Sequence, residues 1–267
     1  MSEGAGRLAG KTAVVTGGGR GLGRAMAVSL ARAGAGVVVT ARSSAELDET
    51  VALLQAEGVP SVGVVADVAS ASDVLRVREA ALELTGAVDI VVNNAGNLIV
   101  KPFVPLPSRV TDDPEREAGL SYEDWRASHS VHLDGAFHML QAFAPGMIER
   151  RHGRVINIVS SSLGRTVPFC SAYETAKAAL SQLTKSLAFE WGRYGVTVNA
   201  IACGQFHTQM SAQLHEDPRQ REWMLKRIPV RRAGDPDELG ALVVDLAGDE
   251  LGFLTGQIIG LDGGETL

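Results

Sequence analysis

The sequence predicts an α/β protein with one doubly wound sheet of six or seven parallel strands and helices on both faces. Short β-branched runs alternate with longer amphipathic segments along nearly all of the 267 residues. The short runs are almost continuously hydrophobic, as expected for strands buried on both faces. Alternation of this kind produces right-handed crossovers between parallel strands. Because no second domain or internal repeat is evident, residues 1–267 are predicted to form a single domain.

Each predicted strand is a short apolar run bounded by glycine or polar residues. In chain order the strands are TAVVT (12–16), VVVT (37–40), SVGVVAD (61–67), VDIVVNN (88–94), RVINIVS (154–160), VTVNAIA (196–202) and GQIIGLD. The intervening segments carry apolar residues at helical spacing. They are GRAMAVSLARAG, ELDETVALLQAEG and the regions near 71–85, 121–150, 171–194, 208–226 and 235–247.

Composition excludes several classes of protein. The net charge is −6 and no basic stripe is evident, so a nucleic-acid partner is not expected. Cys170 and Cys203 lack metal-ligand spacing and cannot form a disulfide framework, which fits a reducing cytosol. The N-terminus has no signal-peptide core, and no apolar run reaches the ~18 residues needed to span a membrane. We therefore expect a cytoplasmic protein with small-molecule partners and no metal.

The segment TGGGRGLG lies between the first strand and the first helix, where a nucleotide phosphate loop belongs. Gly17 permits a tight turn, and Gly21 and Gly23 allow close approach of backbone, pyrophosphate and helix. The helix then offers free N–H groups to the phosphates. The spacing differs from GxGxxG, and a glycine-rich turn without a ligand is the alternative. The strand–loop–helix context favours dinucleotide binding.

The end of the second strand indicates which dinucleotide is bound. An acidic residue there would bind the ribose 2′-OH of NAD and repel a 2′-phosphate. The sequence has no acid from 35 to 45, and Arg42 follows the strand. Its guanidinium can clamp a phosphate, and Arg20 can approach from the glycine loop. NADP(H) is therefore favoured over NAD(H), the alternative being two solvated surface arginines.

The segment SAYETAKAAL places Tyr173 and Lys177 four residues apart, on one face of a predicted helix. A tyrosine of pKa ~10 is a poor base at neutral pH. A nearby ammonium and a cationic nicotinamide would favour the phenolate and lower that pKa. Such a phenol can protonate an alkoxide or deprotonate an alcohol. Taken alone, such a pair is usually an ordinary helix contact.

Four motifs occur in order: TGGGRGLG, NNAG (93–96), a serine-rich strand end and YETAK. Together they resemble the short-chain dehydrogenase/reductase family, from about Lys11 to Gly264. The resemblance implies a Rossmann-type fold and a homotetramer. It also implies an oxidoreductase, such as a ketoreductase, that transfers a hydride between NADP(H) and a carbonyl or secondary alcohol.

By this resemblance Tyr173 is the general acid/base and Lys177 binds the nicotinamide ribose and lowers the tyrosine pKa. Ser160 holds the substrate oxygen, with Ser161 as the alternative because Gly164 follows it by three. The resemblance also implies a set of cofactor-binding residues. These are Gly17, Arg20, Gly21, Leu22, Gly23, Arg42, Asp67, Val68, Asn94, Ala95, Gly96, Tyr173, Lys177, Gly204, Phe206 and Thr208.

Two positions depart from the family pattern. His132, seven residues after Trp125, stands where the family usually has an asparagine that holds a relay water. The histidine could hold that water and titrate near neutrality, which would make it a catalytic residue, or it could be a packed helix residue. Cys203 stands where a proline is usual. Its neighbours suggest no lowered thiol pKa, so we interpret it as a small buried residue.

Two segments are candidates for substrate selection. Residues 97–120 contain four prolines and form a predicted insertion loop. Residues 205–228 form a predicted lid whose apolar side chains suggest a substrate with a hydrophobic body. Either segment could instead be an oligomer contact or pack on the core. Two functions remain as alternatives: an NAD-linked alcohol dehydrogenase, and a catalytically inactive nucleotide-binding regulator.

Overall fold

The protein contains one seven-stranded parallel sheet in the order β3-β2-β1-β4-β5-β6-β7, as seen in a computed structural model. The structure describes residues 6–107, 118–206, 222 and 225–267. This architecture confirms the predicted doubly wound α/β fold. The strands are β1 Thr12–Thr16, β2 Gly36–Ala41, β3 Ser61–Val65, β4 Ile90–Asn93, β5 Gly153–Ser160, β6 Val196–Cys203 and β7 Ile258–Leu261.

Helices cover both faces of the sheet and bury two apolar layers. One layer lies beneath the first, second and last helices, and the other beneath the helices that follow β3, β4 and β5. The helices are α1 Gly21–Arg32, α2 Ser44–Ala56, α3 Ala71–Thr85, α4 Tyr122–His129, α5 Gly135–Arg150, α6 Ser171–Trp191 and α7 Pro236–Ala247.

The strand order reverses direction between β1 and β4, the first and fourth strands of the chain. In open α/β sheets such a switch point opens a crevice at the carboxyl ends of the strands. The glycine loop follows β1, and the NNAG segment begins within β4. Ser160 ends β5 and Cys203 ends β6. The topology therefore brings four separate motifs to one edge of the sheet.

The predicted helix over 121–150 is not continuous. A π-helical turn, Ser130–Asp134, separates α4 from α5, and within it the Gly135 N–H donates to the carbonyl of Ser130. A π turn holds one more residue than an α turn, so helical periodicity across it is broken. The extra residue lets the buried His132 side chain point at the carboxyl edge of the sheet rather than along the α4 face.

Parts of the two predicted substrate segments lie outside the described residues. Of the loop 97–120, residues 97–107 and 118–120 are described; of the lid 205–228, residues 205–206, 222 and 225–228 are described. Most of the predicted helix at 208–226, and Thr208, lie outside that range. Within the described ranges, no helix combines the length and apolar character that a membrane span requires.

Candidate active site

A cleft of about 610 Å³ opens at the carboxyl edge of the sheet, along the switch point. It brings together every predicted site residue that the structure describes, although they are spread over nearly 190 positions of the chain. Thr208 alone lies outside the described residues. Those in the cleft are Gly17, Arg20, Gly21, Leu22, Gly23, Arg42, Asp67, Val68, Asn94, Ala95, Gly96, His132, Ser160, Ser161, Tyr173, Lys177, Gly204 and Phe206.

The glycine loop requires glycine at defined points. Gly17 and Gly21 have φ of 65° and 53°, in the left-handed region that disfavours side chains. A Cβ at Gly23 would lie 2.0 Å from the Gly17 carbonyl oxygen and 2.6 Å from the Asn94 side-chain nitrogen. The loop is thus folded so tightly on α1 and the NNAG segment that its backbone lines the cleft.

The first turn of α1 presents unsatisfied backbone N–H groups. Its N-cap residue, Arg20, makes no side-chain capping bond, and no acidic residue lies in the first turn. The starts of α2, α3, α4 and α7 are each capped by a serine or aspartate side chain. A helix start with free donors and positive dipole end is suited to bind phosphate. These features fit a dinucleotide, which supports the interpretation of the glycine loop.

Thr16, at the end of β1, was not identified from the sequence. Its hydroxyl accepts hydrogen bonds from the backbone N–H groups of Asn94 (2.9 Å) and Ala95 (3.0 Å). The Asn94 side chain donates to the Thr16 carbonyl at 2.9 Å. Thr16 therefore fastens the NNAG segment to the glycine loop. The sequence did contain a signal for this role: Thr16 is a hydroxyl residue at the end of a predicted strand, where a neighbouring strand also ends.

The far end of the cleft carries two arginines and one carboxylate. Arg42 is exposed and follows β2, and among the described residues no carboxylate pairs with it. Arg20 was expected to approach a phosphate, but it already has a partner: its Nη1 lies 3.1 Å from Glu46 Oε1. Glu46 also lines the cleft. The arginine predicted to approach a phosphate from the glycine loop is therefore paired with an acid.

Tyr173, in the first turn of α6, lines the cleft together with Ser160 at the end of β5, and the Ser160 hydroxyl favours the ionised form of the phenol. The Ser160 hydroxyl also accepts from the Ser162 N–H at 3.1 Å, which fixes its position. The hydroxyl of Ser161 donates instead to Glu265, with an oxygen–oxygen distance of 3.4 Å. The geometry thus favours Ser160 over Ser161 as the partner of the tyrosine.

The protein's own groups favour the neutral phenol of Tyr173. Burial raises the pKa of Tyr173 to about 12, although the hydrogen bond with Ser160 opposes that shift. Lys177 does not offset the effect of burial: its ammonium lies 5.8 Å from the ring centroid and donates to the Ile158 carbonyl at 2.7 Å. Burial lowers the pKa of Lys177 to about 8. A cationic nicotinamide is the remaining group that could favour the phenolate.

His132 packs against Tyr173. The two rings are 5.2 Å apart and nearly perpendicular, at 82°. Nε2 of His132 lies 2.8 Å from the carbonyl oxygen of Asn97, while Nδ1 is buried with no hydrogen-bond partner among the described residues. Burial, with the positive charge of Lys177, lowers the pKa of His132 to about 3. The expectation that it titrates near neutrality is therefore wrong: the ring is neutral at pH 7.

Gly96 is the reason that this imidazole fits. A Cβ at Gly96 would lie 2.3 Å from Cε1 of His132. The last glycine of NNAG therefore leaves room for a ring at the position where the family usually has a smaller amide. The NNAG motif predicts a cofactor role for Gly96, whereas this second constraint depends on contacts visible only in the fold.

Cys203 behaves as a small buried residue. Burial raises the pKa of its thiol to about 12, so the thiol stays protonated. The chain after it is held in register because the Gly204 N–H donates to the Leu261 carbonyl at 3.0 Å. Phe206 is buried against Gly234. In the part of the chain that the structure describes, no group of three or more His, Cys, Asp or Glu residues could hold a metal ion.

The turn after β3 places Asp67 and Val68 at the cleft wall. The Asp67 carboxylate accepts from the Ala69 N–H at 2.9 Å, and its own N–H donates to Asp73 at 2.9 Å. Asp67 is thus held in a rigid turn at the start of α3, with Val68 buried beside it. This arrangement is consistent with the predicted role of Asp67 and Val68 in binding the cofactor.

The described end of the 97–120 segment is fastened beside the tyrosine helix. The Lys101 N–H donates to the Phe169 carbonyl at 2.9 Å, and the Lys101 ammonium pairs with Asp124 at 2.9 Å. Phe169 has φ of 66°, a left-handed conformation that costs energy for a bulky residue. The backbone leading into α6 is thereby held against this loop.

Known proteins match this chain along nearly its whole length. A family model described as Enoyl-(Acyl carrier protein) reductase matches residues 17–266. Dehydrogenase/reductase SDR family member 4 of Oryctolagus cuniculus is 34% identical over 257 residues, which are 96% of this chain and 94% of the relative. The chain belongs to the short-chain dehydrogenase/reductase family. As a member, it is an oxidoreductase of a family that uses nicotinamide cofactors.

Further members share the fold in detail. Gluconate 5-dehydrogenase of Gluconobacter oxydans is 34% identical over 260 residues, covering 97% of this chain and 96% of its own. The crystal structure of a gluconate 5-dehydrogenase from Burkholderia cenocepacia, in complex with NADP and tartrate, has a TM-score of 0.87 and 35% identity. That match covers 97% of this chain and 96% of the neighbour.

Proposed function

We propose that this protein transfers a hydride between NADP(H) and a carbonyl or secondary alcohol, with Tyr173 as the general acid/base. The observation that carries the proposal is the convergence of three side chains in the cleft. Tyr173 and Ser160 line the same wall of the cleft, and the buried ammonium of Lys177 lies 5.8 Å from the centre of the tyrosine ring. The opposite end of the same cleft carries the uncapped start of α1 and the glycine loop.

The nicotinamide, when bound, supplies or accepts the hydride. In the reductive direction the Tyr173 phenol donates its proton to the substrate oxygen, and in the oxidative direction it takes that proton back. Ser160 is positioned to donate a second hydrogen bond to the same oxygen. Because the protein's own groups keep the phenol neutral, Tyr173 is well prepared to act as the acid. The Lys177 charge then stabilises the phenolate that remains.

We propose His132 as the residue that holds the water through which Tyr173 and Lys177 recover their proton. The neutral ring carries its proton on Nε2, which donates to Asn97 at 2.8 Å. Nδ1 is then a buried acceptor that needs a donor, and an unsatisfied buried acceptor is costly. A water between Nδ1 and the Lys177 ammonium would satisfy both groups.

Replacing His132 with phenylalanine removes both nitrogens and keeps a ring of similar shape. We expect kcat to fall about tenfold or more, because the relay contributes to proton transfer, while the Kd for the dinucleotide stays near that of the wild type. His132→Asn, whose amide can also hold a water, should restore much of the rate. Steady-state kinetics from pH 5 to 9 test this. A wild-type rate in His132→Phe would remove His132 from the relay.

The preference for NADP(H) over NAD(H) is proposed from Arg42. This exposed guanidinium lines the cleft next to the β2 end, without a carboxylate partner among the described residues. The Burkholderia cenocepacia neighbour, which was crystallised with NADP, supports the same cofactor for this chain.

Replacing Arg42 with alanine should weaken NADPH binding by about 10- to 100-fold, because one bidentate charge-assisted contact is lost. NADH binding should change less than about twofold. Fluorescence titration of both cofactors measures this without a substrate. Arg193→Ala, which removes an exposed arginine outside the cleft, is the control. Equal binding of both cofactors to the wild type would instead favour the NAD-linked alcohol dehydrogenase.

The substrate is proposed to carry a hydrophobic body, since Leu98, Val167 and Phe206 line the same cleft as Tyr173. A panel of hydrophobic ketones, assayed beside gluconate, tests this, and activity confined to gluconate would contradict it. Dinucleotide binding without turnover of any panel member would favour the inactive nucleotide-binding regulator.

A cytoplasmic homotetramer remains part of the proposal, and sedimentation velocity would test the assembly.

A further inference from the structure

We infer that Glu46 is a specificity-determining residue for the cofactor, and that Arg20 acts mainly by neutralising it. The inference rests on the proposed binding of NADP(H). It concerns the 2′-position of the adenosine ribose, which in NADP carries a phosphate and in NAD a hydroxyl. The acid was overlooked in the sequence because it lies one residue beyond the acid-free interval 35–45.

Glu46 is placed over the phosphate loop by the start of α2. Its backbone N–H donates to the capping hydroxyl of Ser43 at 3.4 Å. A Cβ added at Gly19 would lie 3.1 Å from the Cβ of Glu46, so this residue packs directly on the glycine loop. Glu46 therefore reaches the same part of the cleft as Arg20 and Arg42, although it is on another element.

The charges at this end of the cleft are two cations and one anion. A 2′-phosphate would meet Arg42, whose guanidinium has no carboxylate partner among the described residues, and Arg20, whose guanidinium is 3.1 Å from Glu46. The carboxylate repels a phosphate, while it can accept a hydrogen bond from a 2′-hydroxyl. Glu46 thus opposes the preference that Arg42 creates.

The solvent exposure of Arg20 and Glu46 indicates how easily Arg20 can respond to a bound phosphate. The side chains of Arg20 and Glu46 are 59% and 32% exposed. An ion pair this accessible to water is weak, so Arg20 can turn from the carboxylate to a phosphate at small cost. Without Arg20, the Glu46 charge would face the phosphate uncompensated. The two residues should therefore be energetically coupled in phosphate binding.

Calorimetric titration with two fragments isolates this end of the cleft. Adenosine 2′,5′-bisphosphate carries the 2′-phosphate, and adenosine 5′-monophosphate lacks it. We expect Glu46→Gln to tighten bisphosphate binding about three- to tenfold and to change monophosphate binding less than twofold. We expect Arg20→Gln to weaken bisphosphate binding more in the wild type than in the Glu46→Gln background.

Glu49→Gln is the matched control. Glu49 lies one turn along the same helix, pairs with Arg24 at 2.8 Å and does not line the cleft. Thermal unfolding of each variant establishes that it is folded. The inference is overturned if Glu46→Gln binds the bisphosphate no tighter than the wild type or Glu49→Gln does. It is also overturned if the effects of the Arg20 and Glu46 substitutions simply add.

The failure of this inference differs from the failure of the proposed function. If the wild type binds the bisphosphate no tighter than the monophosphate, the proposed preference for NADP(H) is wrong. In that case a gain in Glu46→Gln would still support the role of Glu46. If the wild type prefers the bisphosphate and Arg42→Ala removes the preference, an unchanged Glu46→Gln sinks the Glu46 inference alone.

Discussion

Replacing Tyr173 with phenylalanine is expected to lower kcat by about 10²- to 10⁴-fold, the usual contribution of a positioned acid/base. The substitution removes only the hydroxyl, so the ring keeps its packing against His132 at 5.2 Å. Ser160 stays fixed by the Ser162 N–H and would still hold the substrate oxygen. The variant should therefore bind cofactor and substrate while the proton transfer fails.

Steady-state kinetics and cofactor titration of Tyr173→Phe separate the two effects. We expect Kd for NADPH within about threefold of the wild type, since the other proposed cofactor-binding residues of the cleft are unchanged. Tyr122→Phe is the control, because Tyr122 is 72% exposed and lies outside the cleft. Retention of more than a tenth of the wild-type kcat in Tyr173→Phe would contradict the assignment of the acid/base.

Gly23→Ala is expected to abolish tight dinucleotide binding and to destabilise the protein by about 1–3 kcal/mol. Alanine in a helix normally gains ~1 kcal/mol over glycine. Here the new Cβ would lie 2.0 Å from the Gly17 carbonyl oxygen. That oxygen belongs to the backbone of a tight turn and cannot swing away as a side chain would. The steric term therefore outweighs the helix propensity and distorts the loop.

Urea unfolding and NADPH titration measure the two consequences of Gly23→Ala. Gly260→Ala is the matched control, because no atom lies within 4 Å of a Cβ added at Gly260. The control should bind NADPH as the wild type does. A Gly23→Ala variant with wild-type affinity would show that the loop can open without losing the phosphates, which would remove the glycine loop from the site.

The parts of the fold that depend on local patterns could be predicted from the sequence. All seven strands are present, because buried parallel strands leave continuous apolar runs such as TAVVT and VTVNAIA. The glycine loop and the Tyr173–Lys177 pair are also contiguous signals. Their meeting at one cleft follows from the parallel topology, since the carboxyl ends of all strands share one edge.

The features that the sequence did not predict depend on three-dimensional contacts. The Thr16 hydroxyl is visible as a clamp only when β1 and β4 lie side by side. The choice between Ser160 and Ser161 depends on Glu265, which is about a hundred positions away. The pKa of Tyr173 depends chiefly on burial, which the spacing to Lys177 does not reveal.

The π turn at Ser130–Asp134 constrains which insertions and deletions this region can accept. Deleting one residue there would merge α4 and α5 into one regular helix, at little cost to helical hydrogen bonding. The same deletion would rotate α4 by about 100° relative to α5. It would turn His132 out of the cleft and carry Asp124 away from Lys101. A helix can form with or without the extra residue of the π turn. Only the helix that contains it keeps the geometry around Tyr173.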